Sequence, residues 1–375
     1  MNNITGQKSL EILQQRMEQK VAQGQAHSKA TLDVIERDGQ LLNDFICTLG
    51  EKSAVSFKGN GGTSMVVTDK GKVEEFSIHP WAGYQLGEKL VGNAGVATYL
   101  RDSIASKEEW QRVLAAQVLN EHAIHGKRTR VLVRAVGDQV RGVLSDQYRR
   151  MNSGLIYQSA IKAANAEGAM VIDAHYDDTR GWIEFMRPEI VSVPTEMNEM
   201  LHLSFGARIS TSDFGDGALE IRAFWMQVRC LNGAVGESLM REVHLGGRLP
   251  DNLQMSEKTY RLDTETMASA THDIFKNILA LPNIKTRAQQ FQKAANTPVE
   301  FEAEVKRLRK AAKLSVGESE GIVKVLTNNN PDDGMAGGNS LWKLSQAVGA
   351  VARTADPRRK RDLEQLAGEL LTSVK

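Results

Sequence analysis

The chain is predicted to be an α+β protein, with a central, largely antiparallel sheet of ββαββββ order flanked by N-terminal and C-terminal helical regions. Three observations lead there. Residues 130–229 hold period-2 strand runs joined by short turns, with one helical stretch among them. Residues 7–37 and 251–371 instead carry apolar residues at helical spacing. Hairpin connections dominate the strand-rich part, which favours antiparallel pairing.

Taken in order, Leu10, Leu13, Met17 and Val21 form one helical stripe over 7–23, and a second helix is expected over 29–37, stopped near Gly39. Runs at 53–57, 64–68 and 73–77 read as strands of a small β unit, with Gly59-Asn-Gly-Gly62 and Asp69-Lys-Gly71 as turns. The first glycine loop lacks a following Gly-Lys-Ser/Thr, so it is not a P-loop. Helices are expected over 81–90 (after Pro80, a good first-turn residue), 94–103 and 107–121. A hairpin follows, 130–136 and 139–144 around the tight turn Gly137-Asp138, then a helix over 153–167. Strands are expected at 169–176, 181–187, 200–210 and 218–229, with Asn232-Gly233 as a turn. Beyond Gly236 the chain returns to helix, broken at Pro282 and reopened at Pro298. Its closing helices, 341–352 and 362–371, are separated by Pro357-Arg-Arg-Lys-Arg361.

The chain has 375 residues, 41% of them hydrophobic, which is enough for two or three domains with buried cores. We divide it into N-terminal helices (1–50), a small β unit plus helices (51–126), a central α+β domain (127–250) and a C-terminal helical region (251–375) with a flexible linker near 328–338. Cys47 and Cys230 match no zinc spacing and suit a reducing compartment. No apolar leader and no run of ~18 apolar residues is present. A cytoplasmic setting without membrane contact is therefore expected, and no motif calls for a cofactor.

Net charge is +1, so global charge decides nothing about polyanions, but its distribution is uneven. Residues 127–150 carry seven basic side chains against two acids, a net of +5; residues 173–217 carry nine acids against three arginines, a net of −6. Such asymmetry builds a binding face or neutralises itself within the fold. Alternation puts Arg130, Leu132 and Arg134 on one face of the hairpin. With Arg128, Arg141, Arg149 and Arg150 they could hold a phosphate backbone while Tyr148 stacks on a base. The competing reading pairs these arginines with carboxylates, Glu184 and Glu220 being the obvious suppliers.

Two metal constellations are weaker. Asp173, His175 and Asp177 share one face of a strand, with Asp178 beside them, and such sets can hold a divalent ion. His122 and His125 lie three apart on a helix but lack the order of a zinc peptidase. No Ser-His-Asp order or cysteine nucleophile is present, so no catalytic residue is assigned.

Four local patterns carry a family resemblance: Trp81-Ala-Gly-Tyr-Gln-Leu-Gly-Glu-Lys-Leu90 with Tyr99-Leu100; Gly142-Val-Leu-Ser-Asp-Gln-Tyr-Arg149; Phe224 through Cys230-Leu-Asn-Gly233 to His244-Leu-Gly-Gly247; and Asn339-Ser-Leu-Trp342 with Ala347-Val348. In this order they resemble an uncharacterised phage- and plasmid-related protein family, a domain of unknown function found in mobile elements. That family expects Asn-Ser-His-Asp-Gly before the long strand; here Ser210-Thr-Ser-Asp-Phe-Gly-Asp-Gly217 stands without the histidine. The resemblance implies a phage or mobile-element setting in a bacterial cytoplasm and brings no assigned reaction. The leading expectation is a nucleic-acid-binding protein acting on single-stranded DNA, in annealing or recombination, as a homo-oligomer. The alternative is an interaction module that inhibits a host defence or replication protein.

Overall fold

A computed structural model describes residues 2–50, 55–69, 72–195, 200–244, 255–328 and 338–372. The start of the first predicted strand (53–54), turn residues 70–71, the domain boundary at 250 and the core of the predicted linker (329–337) lie outside the described residues. The chain is α+β, with antiparallel and mixed sheets flanked by helices.

The expected pair of N-terminal helices is one helix, α1 (Asn2–Gln40). Leu13, Met17, Val21, Gly24, Ser28, Ile35 and Asp38 are buried on it, a stripe at steps of three, four and seven. Gly24 is where the helix lies directly on strand backbone, at Ile172. Next come β1 (Leu42–Leu49), β2 (Val55–Lys58), β3 (Ser64–Asp69) and β4 (Lys72–Ile78), then α2 (Pro80–Leu90), α3 (Ala94–Ala105) and α4 (Glu109–His125). Pro80 takes the first turn of α2, and the His79 side chain caps it by accepting from the Trp81 amide. The hairpin is β5 (Thr129–Val136) and β6 (Gln139–Ser145), turned at Gly137 with φ +58°.

These strands form the first sheet, in the order β1-β5-β6-β4-β3-β2. All pairs are antiparallel except β4 with β6. Its core face, Val131, Val133, Ala135, Val140 and Val143, packs on Ala82, Leu86, Leu100 and Leu119 of the helices. The hairpin is thus paired within the first sheet.

After α5 (Ser153–Ala166) come β7 (Met170–Tyr176), β8 (Gly181–Met186), β9 (Val191–Pro194), β10 (Met200–Thr211), β11 (Leu219–Gln227) and β12 (Asn232–Glu242). They build a second sheet ordered β12-β11-β10-β8-β7, with β9 also on β10, antiparallel throughout. Strand β12 replaces the expected Asn232-Gly233 turn. The reversal is made by residues 228–231, with Leu231 at φ +58°. Gly233 lies under the Phe224 ring and Gly236 under Trp225, where any Cβ would collide.

Helices α6 (Glu257–Leu279), α7 (Leu281–Asn296), α8 (Phe301–Ala311), α9 (Val316–Asn328), α10 (Leu341–Ala352) and α11 (Pro357–Thr372) close the chain. Phe275 of α6 and Tyr157 of α5 bury against Phe185 and Ile209 of the second sheet, while α7 to α11 bury Phe291, Trp342 and Leu371 against Phe205 and Trp225. Pro357-Arg-Arg-Lys-Arg361 is no spacer: it is the first turn of α11.

Candidate ligand-binding cleft at the junction of the two sheets

The arginine face of the hairpin is largely withdrawn from solvent, with Arg130 half-buried at its edge. Arg134 is fully buried. Its Nε donates to Asp44 Oδ1 (2.8 Å), one Nη to the Asp213 carbonyl (2.7 Å) and the other to Asn152 Oδ1 (2.8 Å). Arg141 is buried against Asp38 at 2.5 Å, with Asp178 at 3.8 Å. Arg130 lies 3.8 Å from Asp146. Arg149 grips Asp263 (Nε–Oδ2 2.6 Å), and Arg150 reaches Glu257 at 3.2 Å and Asp44 at 3.4 Å beneath the Tyr260 ring. Tyr148 is buried, its hydroxyl donating to the Ser212 carbonyl (3.0 Å) and its ring stacked on His244 at 5.0 Å. Arg128 is exposed. So Arg134 and Arg141 offer no phosphate-facing donor in this fold. Their face is covered because Phe214 seats itself on Gly142, the residue paired with Arg134. The carboxylates they use are aspartates from α1, β1 and the loops. The two glutamates expected to serve them pair elsewhere, Glu184 with Arg208 and Glu220 with Arg222 and Arg361.

The acidic segment is matched from far along the sequence. Asp173 takes Lys360 (3.0 Å), while Asp177 and Asp216 share Arg358, at 2.6 Å each. The His175 ring packs on Trp182 at 4.4 Å. A cation on each carboxylate is a poor start for a metal site. Among the described residues no three His, Cys, Asp or Glu side chains converge as ligands. His125 is exposed beside Glu121 at 3.5 Å.

What does organise the junction is the loop 212–217, between β10 and β11. The Ser212 hydroxyl donates to the Thr179 carbonyl (2.6 Å) and accepts from the Phe214 and Asp216 amides (3.1 and 2.9 Å). Asp213 accepts from the amide and hydroxyl of Ser153 at the start of α5 (2.9 and 2.6 Å). The Phe214 carbonyl accepts from the Trp81 indole (2.9 Å) and the Gln85 amide (2.8 Å), both on α2. Gly215 at φ +75° and Gly217 at φ +157° let the chain turn this tightly.

Beside that loop opens a cleft of about 580 Å³, lined by Gln85, Glu88 and Lys89 of α2, 143–145 of β6, Tyr148, the two loop glycines, and Arg241 and His244 at the end of β12. Its volume is in the usual range for a small-ligand site, about 300–1,000 Å³. Three of the sequence patterns singled out above, and the loop that departs from theirs, meet at this one place. Gln85 is engaged at both ends of its amide, since its Oε1 also accepts from the Val143 amide (2.7 Å). Glu88 accepts from the Tyr84 hydroxyl at 3.0 Å. Lys89 and Arg241 make no salt bridge among the described residues. Burial lowers the Lys89 pKa, opposed by Glu88 and Asp146. The cleft therefore offers cationic donors without fixed acceptors, beside an apolar wall of Leu144, Tyr148 and Val243. Sequence reading did not single out Lys89 or Arg241; each is one cation among 47 until the fold brings them together.

His244 is part of the frame. Its Nδ1 faces the Arg149 carbonyl at 3.1 Å, which only accepts, so Nδ1 carries the hydrogen and Nε2 is left to accept from Thr211 Oγ1 at 3.4 Å. The Arg149 amide donates back to the His244 carbonyl (3.1 Å), pinning the end of β12 to the segment after β6. Burial holds His244 below the ordinary imidazole value, and His79, His175 and His202 likewise. An unfolded imidazole titrates near pH ~6.5. Each of these groups thus adds stability that is complete above about pH 6.5 and is lost as pH falls through its folded value. We expect the urea midpoint to drop between about pH 7.5 and 5.5. The drop should be shallower in His244→Gln, and equal slopes in the two proteins would contradict the assignment.

No family model, no curated protein and no solved structure matches this chain. Among the described residues no helix is long and apolar enough to cross a membrane.

Proposed function

We propose that this chain is a single-stranded nucleic-acid-binding protein of a phage or mobile element, and that the strand is held at the cleft between the two sheets. The observation that carries the reading is the pair Lys89 and Arg241, which make no salt bridge among the described residues and line a cleft whose wall is apolar and aromatic. Phosphates would sit on the two cations, and a base against Val243, Leu144 and the accessible edge of Tyr148. Such a combination of charge and apolar contact suits a single strand, whose bases are free to leave the stack. Arg128 stays available for a further phosphate. The buried arginines of the hairpin act as scaffold.

The test is fluorescence anisotropy with a labelled ~30-nucleotide single strand and the matching duplex across a salt series. Single-strand binding that falls steeply with salt is expected. In Lys89→Ala with Arg241→Ala the salt slope should shrink by about one unit per lost cation, at uniformly weaker affinity. No binding at low salt, or an unchanged slope in the double variant, would remove this reading. Where binding is seen, annealing of complementary strands is the next assay.

A further inference from the structure

The cleft loop is held from a helix that does not line the cleft. Arg358, in the first turn of α11, places Nε on Asp177 Oδ2 and Nη2 on Asp216 Oδ2, at 2.6 Å each, with Nη2 also 3.4 Å from Thr179 Oγ1. Thr179 in turn donates to Asp216 at 2.8 Å, and its carbonyl accepts from the Ser212 hydroxyl. Asp177 is tied to the turn between β7 and β8 by the Arg180 amide at 3.0 Å. One guanidinium thus locks that turn to the loop 212–217. Asp216 is also the residue between Gly215 and Gly217, the two positions of the loop that line the cleft. Neither glycine carries a side chain to anchor it; Tyr148 meets the Gly215 backbone, and Gly217 follows directly on Asp216.

The other supports of the loop act on its first half: Ser153 holds Asp213, and Trp81 and Gln85 hold the Phe214 carbonyl. Beyond Phe214 the Tyr148 hydroxyl meets the Gly215 backbone, and the ties of Ser212, Thr179 and Arg358 converge on Asp216. Arg358 holds Asp177 below the usual carboxylate range against the opposing effect of burial. The rest of the turn behaves differently. Arg359 pairs with Glu318 of α9, and Lys360 with Asp173, so neither reaches the loop.

We propose that Arg358 is the positioning residue of the cleft: from α11 it fixes the Gly215–Gly217 wall and thereby sets how well the cleft accepts its ligand. The proposal rests on the cleft being the binding site, yet its first consequence is visible without ligand. In hydrogen exchange of the full chain, Arg358→Ala should speed exchange of the Phe214 and Asp216 amides about tenfold, by local opening. Arg358→Lys should restore part of the protection, and Arg359→Ala should leave these amides as they are while loosening α9. Affinity for the ~30-nucleotide strand should fall about fivefold in Arg358→Ala and stay unchanged in Arg359→Ala. Loop exchange unchanged in Arg358→Ala, or equally fast in Arg359→Ala, would overturn the proposal. A faster loop in Arg358→Ala alone, with no oligonucleotide binding by the unmodified chain, would support the positioning role and remove the nucleic-acid reading instead.

Discussion

Replacing Arg134 with alanine is expected to destabilise the chain by about 3–5 kcal/mol, the scale for breaking a buried ion pair by removing one partner. The guanidinium is fully enclosed and joins three parts of the fold: Asp44 of β1, Asn152 at the start of α5, and the Asp213 carbonyl of the cleft loop. Without it, Asp44 keeps only Arg150 at 3.4 Å among the described residues, and an amide oxygen and a carbonyl lose their donor under the seal that Phe214 makes on Gly142. Arg128→Ala, exposed near the start of the same hairpin, should stay within about 0.5 kcal/mol of the parent. Urea unfolding of the two variants checks this. A loss under ~1 kcal/mol for Arg134→Ala would mean the buried network is not a scaffold, and would return that arginine to the list of ligand contacts.

Gly24→Ala should destabilise by about 1–3 kcal/mol, the cost of overpacking, although alanine is ordinarily the better helix residue by about 1 kcal/mol. The sign is reversed by the site. A Cβ at residue 24 would stand 2.1 Å from the Ile172 carbonyl oxygen and 2.5 Å from its carbon, so α1 must lift off β7 to admit it. Lifting would also expose Met17 and Val21, which are buried against Ile172 and Phe224. Gly39 is the internal control: it lies in the same helix with nothing within 4 Å of its absent Cβ. Gly39→Ala should be neutral or stabilising by up to about 1 kcal/mol. Opposite signs for the two substitutions are the expected thermal-melt result, and equal signs would contradict the packing of α1.

These examples also show what a sequence displays and what it withholds. The hairpin was legible because Gly137 can take the positive φ that its turn requires, and α2 because Pro80 suits a first helical turn. The continuous apolar runs of β10 and β11 were legible as strands because both faces of the second sheet are covered. Strand β1 was missed: Leu-Asn-Asp-Phe-Ile-Cys-Thr-Leu has no clean alternation, and its residues are half-buried along a sheet edge. Gly24 looks locally like a helix breaker, yet its role is to approach Ile172, 148 positions on. The Asn232-Gly233 turn signature gave way to the Phe224 ring that needs a glycine beneath it. For the site, the two-glycine loop and the Tyr148 segment could be marked in advance as special stretches. That alternation placed Arg130 and Arg134 on a shared face was readable; that Phe214 would close over that face was not, because it depends on the contact of Phe214 with Gly142, 72 positions apart. Likewise the −6 segment was visible, but its neutralisation by Arg358, 181 positions beyond Asp177, was not.

The central claim is that the cleft, and not the buried arginine face of the hairpin, meets the ligand. The most direct measurement is hydrogen exchange across the whole chain with and without a saturating single-stranded oligonucleotide. The account predicts protection concentrated at 85–89, 143–148, 215–218 and 241–244, the four stretches that line the cleft, with 129–136 unchanged because it is already buried and paired. Protection confined to surfaces away from those four stretches, or no protection under conditions where the strand is bound, would contradict it.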